Sequence, residues 1–513
     1  MAASLAKSSG VFALMTLLSR ILGFVRDTLQ AVFFGASWMM DAYLVAFKIP
    51  NFMRRLFAEG AFSQAFVPVL SEQKSTQSHD DVRDFIGAVS GTFAAVLSVI
   101  TALGVVGAPF LLALFAPGFG SDPAKQALGS ELLRITFPYL MLISLTAFAS
   151  GILNSYGQFG MAAFAPTWLN VCLILAMIGF APNIHAQAWA VLVAGLMQLG
   201  FLLVPVWRLG LLARPRLAWN DARVRKVMVL MLPILLGSGI AQISLLLDTI
   251  LASFLPTGSV SWLYYADRLM EFPLGLFSVA IGTVILPTLS GQHAKASGAA
   301  FSNTLNWGLK VLLLVGIPAF IGLIVLAEPL AATLFQYRKF TAHDTHMTAW
   351  ALRAYAFAFL GFSLVKVLLP GYYARQDTKT PVRYGLIALS MGMAFNVGLV
   401  LLARYFQFIA PHAALAVGTS LNGCMNAFLL YRGLRRLGVY QPSPQWWTFL
   451  GQLLLASGLM TLALLALTDP ASVWHQAGAV WKVSHLLGLV LAAAVIYFAV
   501  LALCGLRPRH LRA

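Results

Sequence analysis

Apolar stretches long enough to cross a hydrocarbon core recur along the whole chain. About fourteen reach the roughly 20 residues that a membrane helix needs. They cover 10–35, 38–72, 84–110, 132–155, 160–182, 187–207, 227–253, 257–290, 304–328, 346–373, 382–403, 411–431, 446–467 and 483–504. The connections are short, and the longest, 208–226, reads RLGLLARPRLAWNDARVRK. No loop could hold a separate soluble domain. The pattern predicts an all-α polytopic membrane protein.

Composition agrees. Of 513 residues, 60% are apolar and 10% charged, against about 25% charged in a soluble domain. The first apolar segment contains SRILGFVRD, which puts Arg20, Arg26 and Asp27 where a signal peptide would need an unbroken apolar core. Cys172, Cys424 and Cys504 lie in apolar stretches without metal-ligand spacing.

The net charge of +17 suggests nucleic acid until the cations are sorted by position. With the N-terminus inside, the tails and the loops on that side hold 19 Lys and Arg, and the opposite loops hold five. That asymmetry predicts cytoplasmic termini and accounts for most of the charge without nucleic acid. Ten cations remain inside the spans, among them Arg20, Arg26, Lys48, Arg54, Arg55, Arg268 and Lys366. Intramembrane charges must face protein or water rather than lipid.

A duplication places these charges. AFKIPNFMRRLFAEGAFSQAFVPVLSEQ, from residue 46, aligns without gaps to YADRLMEFPLGLFSVAIGTVILPTLSGQ, from residue 265, an offset of 219. The same offset pairs the LLR ending at Arg134 with the ALR ending at Arg353. Six spans per repeat return the chain to its starting side, so the repeats share one orientation, and a substrate path is expected between them. The predicted organisation is a lobe over 1–220, a second over 221–440, and two further helices with a cytoplasmic tail over 441–513.

A single helix over 38–72 would exceed about 50 Å, against a core of about 30 Å. It must bend or protrude. Pro50, Gly60 and Pro68 offer bending points, and Pro273, Gly275, Gly282 and Pro287 do so in the second repeat. Interrupted segments at matching positions in two repeats point to a transporter's binding site. On the first span Arg20 and Arg26 lie roughly 120° apart around the axis, so one broad face could offer both. Asp27 beside Arg26 can hold its guanidinium. Asp267, Arg268 and Glu271 cluster on the eighth span. More arginines than acids suit an anionic substrate, and planar forks suit phosphate or carboxylate.

SRILGFVRD, DAYLVAFKIPNFMRRLFAEGAFSQAFVPVL, SWLYYADRLMEFPLG and LLPGYYARQDTKTP together resemble the MurJ (MviN) lipid II flippase family, across essentially the whole chain. That family belongs to the multidrug/oligosaccharidyl-lipid/polysaccharide exporter superfamily. The resemblance implies a transporter, not an enzyme, in the bacterial cytoplasmic (inner) membrane. It would move the undecaprenyl-diphosphate-linked peptidoglycan precursor, lipid II, to the outer leaflet by alternating access through a cationic cavity. It implies Arg20, Arg26, Asp27, Arg54 and Arg268 as substrate-binding residues, with Asp41, Glu59 and Glu271 gating. Asp41 is expected close to Arg26 or Arg268 in one state, as a latch. The last two helices would line a groove for the lipid tail. Partners would be lipid II, membrane lipids and cell-wall synthesis machinery. No cofactor is implied beyond a monovalent cation or the membrane potential. A cation site of some relatives maps onto Asp248 and Asn396, but Val400 stands where that site has its last acid.

The other transporter readings are a flippase for another polyprenyl-diphosphate glycan and a drug antiporter, though cationic drugs would want acids in the cavity. A membrane-embedded lipid-linked glycosyltransferase would need a carboxylate or metal constellation near a large extramembrane loop, and the sequence holds no such motif.

Overall fold

A computed structural model describes residues 2–56, 62–275, 279–294 and 298–506, and every regular element among them is helical. In lipid, a backbone must satisfy its polar groups within the segment, which a helix does. Among the described residues ten stretches are long and apolar enough to cross a membrane, and they correspond to ten of the fourteen expected spans. The other four fall on α1, α11 and the α2–α3 and α12–α13 pairs defined below.

The chain packs as two compact units, Met1–Ser261 and Trp262–Ala513. The first holds α1 (Ala2–Phe34), α2 (Trp38–Arg54), α3 (Ser63–Thr76), α4 (His79–Val106), α5 (Ala108–Phe115), α6 (Pro123–Thr136), α7 (Tyr139–Ser155), α8 (Phe159–Phe164), α9 (Thr167–Phe180), α10 (Ile184–Arg208) and α11 (Ala222–Ser253). Phe62, Phe66, Phe93 and Phe148 form the centre of its core, with Phe62 and Phe93 stacked at 4.1 Å. The second repeat begins in sequence with α11, yet α11 packs on α3, α4 and α5 of the first unit.

The α10–α11 connection explains that attachment. Its backbone runs along α4, where Arg216 N donates to Gly87 O at 3.0 Å and Ala218 N donates to Thr92 Oγ1 at 3.1 Å. Gly91 makes the approach possible, because a Cβ there would collide with the Arg216 backbone. Arg216 and Arg223 share the Asp84 carboxylate at 2.6 and 2.9 Å, and Arg223 also grips Asp221. The hydrogen bond from the Arg223 side chain holds the Asp221 carboxyl below its ordinary pKa.

From Ser259 onward come α12 (Ser259–Pro273), α13 (Val279–Ala294), α14 (Gly298–Val325), α15 (Ala327–Leu334), α16 (Ala342–Tyr373), α17 (Lys379–Tyr405), α18 (Ala413–Arg436), α19 (Trp446–Leu467), α20 (Ala471–Gln476) and α21 (Ala479–Leu503). In this unit α16 and α18 pack backbone to backbone at Gly361, where a Cβ would lie 2.6 Å from Cys424 N. The helices beyond the duplication, α19 and α21, pack on each other and on α14, and Tyr497 Oη donates to Leu314 O at 2.8 Å.

The duplication is visible in the backbone. After α2 the chain enters a π-helical turn at 55–56, and after α12 it does so at 274–275, the same offset of 219 that aligns the sequences. The first turns of matching helices are also clasped alike. Asp41 of α2 meets Lys125 of α6 at 3.0 Å, and Trp262 Nε1 of α12 donates to Asp344 of α16 at 2.9 Å. Lys125 and Asp344 are again 219 apart.

Candidate functional site

α1 presents Arg26 with its side chain largely enclosed. Arg26 Nε and Nη2 both donate to Asp27 Oδ1, at 2.9 and 2.6 Å, and Nη1 donates to Asn170 Oδ1 at 2.9 Å. The Asn170 amide is fixed in turn, donating through Nδ2 to Ser19 O at 3.0 Å. The expected hold of Asp27 on Arg26 is present, and α9 supplies a second clamp. Asn170 carries no charge and lies 144 residues away, so sequence patterning gave no signal for it. A guanidinium held by a carboxylate and an amide is a planar fork with set orientation, suited to a tetrahedral oxyanion.

The other candidates occupy different surroundings. Arg20 is exposed and makes no hydrogen bond or ion pair to a described residue. Arg54, at the end of α2, donates through Nε to Asn51 Oδ1 at 2.9 Å and immediately precedes the π-helical turn. Such turns re-aim side chains and recur at functional sites. Arg268 lies on α12, six residues before its own π-helical turn, with Nη1 donating to Glu271 Oε2 at 2.6 Å and the guanidinium 5.0 Å over the Tyr264 ring. Glu271 is therefore a partner of Arg268 one turn on, and Tyr264 lies one turn before it on the same helix face. Glu59 lies outside the described residues.

Asp41 differs from its expected arrangement. It is 1% exposed, and its partners are neither Arg26 nor Arg268. Oδ2 accepts from Gly258 N at 2.8 Å and from Lys125 Nζ at 3.0 Å. Oδ1 accepts from Ser261 N at 3.0 Å and from Ser261 Oγ at 2.7 Å. The reason lies in its position in the first turn of α2, level with the starts of α6 and α12. The first N–H groups of a helix have no intrahelical acceptor, and the dipole there favours an anion. Asp41 caps α12 from a distance of over two hundred residues and neutralises a buried lysine as it does so.

For the cation site, Asp248 belongs to the first unit and Asn396 to the second. Asn396 is buried, and its side-chain oxygen lies so close to Gly418 of α18 that a Cβ there would collide with it. Val400, one turn on, is also buried. Among the described residues no group of three or more His, Cys, Asp or Glu is placed to hold a metal.

Comparison with known proteins adds an independent line. The family model described as lipid II flippase MurJ matches residues 30–490. A protein of Haemophilus influenzae named as a probable lipid II flippase MurJ is 44% identical over 97% of this chain and 99% of its own. The lipid II flippase MurJ of Burkholderia cenocepacia is 40% identical, covering 97% of each chain. Among solved structures, one titled lipid II flippase MurJ, inward closed conformation, superposes with a TM-score of 0.77 at 26% identity, over 95% of this chain and 98% of that one. An inward-facing MATE family transporter of the MOP superfamily, 14% identical, shares the fold with a TM-score of 0.62 over 84% of this chain and 98% of its own.

Proposed function

Starting from the membership of this chain in the MurJ lipid II flippase family, a family of multi-pass membrane transporters rather than enzymes, we propose that it carries lipid II from the inner to the outer leaflet of the bacterial inner membrane, by alternating access. Arg20, Arg26, Asp27, Arg54 and Arg268 form its diphosphate-binding set in this reading, within a cationic cavity. Both termini are cytoplasmic in this reading, which the asymmetry of Lys and Arg supports. The observation that carries the reading is the clamped fork of Arg26. Its orientation is set before any ligand arrives, so little rotamer freedom is lost when it engages a diphosphate.

Asp41 is the latch of this cycle. Its four contacts fasten the start of α2 to the start of α12, and they are lost together if those helix ends part. Release of such a clasp supplies the discrete second state that alternating access needs. Glu271 tempers Arg268 until the substrate's anion displaces it, and Glu59 is the further gating residue. Cation coupling through Asp248 and Asn396 and contact with cell-wall synthesis machinery stay subordinate parts of the proposal.

Depletion of the protein in its host tests the reading. Lipid II should accumulate in the inner leaflet while its synthesis continues. Normal export of lipid II, with another polyprenyl-diphosphate glycan retained instead, would overturn the assignment of substrate.

A further inference from the structure

Two histidines of the second unit converge on one carboxylate that the flipping cycle leaves without a role. Glu328 stands in the first turn of α15 with its side chain largely buried. His346 Nδ1 of α16 lies 3.3 Å from its Oε1, and His475 Nε2 of α20 lies 3.4 Å from the same oxygen. Arg353 Nη2 of α16 is 3.6 Å from Oε2. Because α20 joins α19 to α21, the contact of His475 fastens the helices beyond the duplication to the duplicated body.

The two rings differ in the protons they need. Trp350 Nε1 donates to His346 Nε2 at 3.1 Å, so His346 carries its hydrogen on Nδ1, and the neutral ring meets both partners. His475 has an acceptor on each side. Its Nδ1 is 3.0 Å from Gln336 Oε1, and its Nε2 faces the Glu328 carboxylate. The Gln336 amide cannot turn to relieve this. Its Nε2 donates to His475 O at 3.2 Å, and Lys482 Nζ of α21 donates to its Oε1 at 3.4 Å. The reverse orientation would set oxygen against the His475 carbonyl and an NH2 group against an ammonium. Only a ring with both nitrogens protonated satisfies Gln336 and Glu328 together. The Arg353 guanidinium on the other carboxylate oxygen favours leaving that proton with the ring.

We infer that Glu328 and His475 form a proton-binding site, and that the proton held there fastens the C-terminal hairpin to the second unit. The charged groups facing His475 are Glu328 from α15, Arg353 and His346 from α16 around that carboxylate, and Lys482 from α21 beyond Gln336, its ammonium 5.2 Å over the Tyr337 ring. His485 and Asp469, 3.1 Å apart on the far side of Trp474, act within the hairpin and do not reach α15. Loss of one proton from His475 points a lone pair at an oxygen and breaks one of the two contacts. The fastening is complete on the acid side and is lost as pH rises through the range in which histidine changes charge, about pH 5–8. His346 contributes no such loss, since its neutral ring already meets both partners.

Hydrogen exchange of the full-length protein in lipid nanodiscs tests the site, with rates corrected for the intrinsic effect of pH. Amides 473–477 should exchange at least about tenfold faster at pH 8 than at pH 5.5, the weight of one hydrogen bond to a charged group. His475→Gln should abolish that step. Gln336→Met should shrink it, because a neutral ring can then turn its one hydrogen to Glu328. His346→Gln should keep it. A flat profile in the unmodified chain would overturn the site, whether or not any variant folds. A step that survives in His475→Gln would overturn it as well, and loss of the step in His346→Gln would move the proton to the other ring and refute the assignment.

Discussion

In the proposed function Arg26 acts through geometry as well as charge. Asp27 and Asn170 take three of its N–H groups and leave the plane of the guanidinium in one orientation. A lysine keeps the charge but has neither the plane nor the fork. Arg26→Lys is therefore expected to lower flipping at least about tenfold, the loss of about 1.4 kcal/mol of binding, with the protein made at normal levels. Arg268→Lys should behave likewise, because the Glu271 contact and the Tyr264 stacking both use the guanidinium. Asn170→Leu separates orientation from charge. It removes the α9 clamp and leaves the arginine in place, so activity should fall while Arg26 itself is untouched. Full complementation by all three variants would reduce these arginines to point charges.

Among the elements, the connection lying on α4 is the one whose attachment depends on a missing side chain. Gly91→Val would drive a branched side chain into the Arg216 backbone. Overpacking of this kind costs about 1–3 kcal/mol. Hydrogen exchange in 211–221 should rise in that variant, while the amides of α7 and α10 keep their protection. The same segment has a built-in acid limit. Arg223 depresses the Asp221 pKa in the folded chain, so this pair stabilises the protein at pH values above the ordinary aspartate value of about 3.9. The contribution is lost as pH falls through the lower folded value. Exchange protection of 211–221 should stay flat from neutral pH to about pH 4 and decline only below it; a decline already at pH 6 would point to another group.

For the whole molecule, the decisive contact is the buried cluster at Asp41. Asp41→Asn leaves the Lys125 ammonium, 7% exposed, without its counter-charge, and breaking a buried pair costs about 3–5 kcal/mol. Much of that cost disappears if the helix starts separate and admit water to Lys125. The variant should therefore favour the parted arrangement, and disulfide crosslinking between cysteines at the start of α2 and in the loop before α12 should weaken. Asp41→Asn combined with Lys125→Met should recover part of the crosslinking, since no unpaired charge then remains. Unchanged crosslinking together with lost lipid binding would move Asp41 from the latch to the substrate site.

The sequence by itself determined the membrane class, the ten clearest spans and the duplication. These follow from hydrophobic run length, from the common offset of 219 and from the cost of charge in lipid, all of which are local or additive along the chain. The interruptions of the second and eighth spans were legible too, although Pro50 and Pro68 lie inside helices and the backbone departs instead at 55–56. Only the tertiary structure decided what those charges touch. Asn170 beside Arg26, Lys125 and Ser261 around Asp41, and the attachment of α11 to the first unit each join residues far apart in the chain. Spacing along one helix says which face a side chain occupies, but its partner depends on which other helix packs there and at what level. For Asp41 the competition was settled by unpaired N–H groups at a helix start and a buried ammonium, neither of which forms a pattern in sequence.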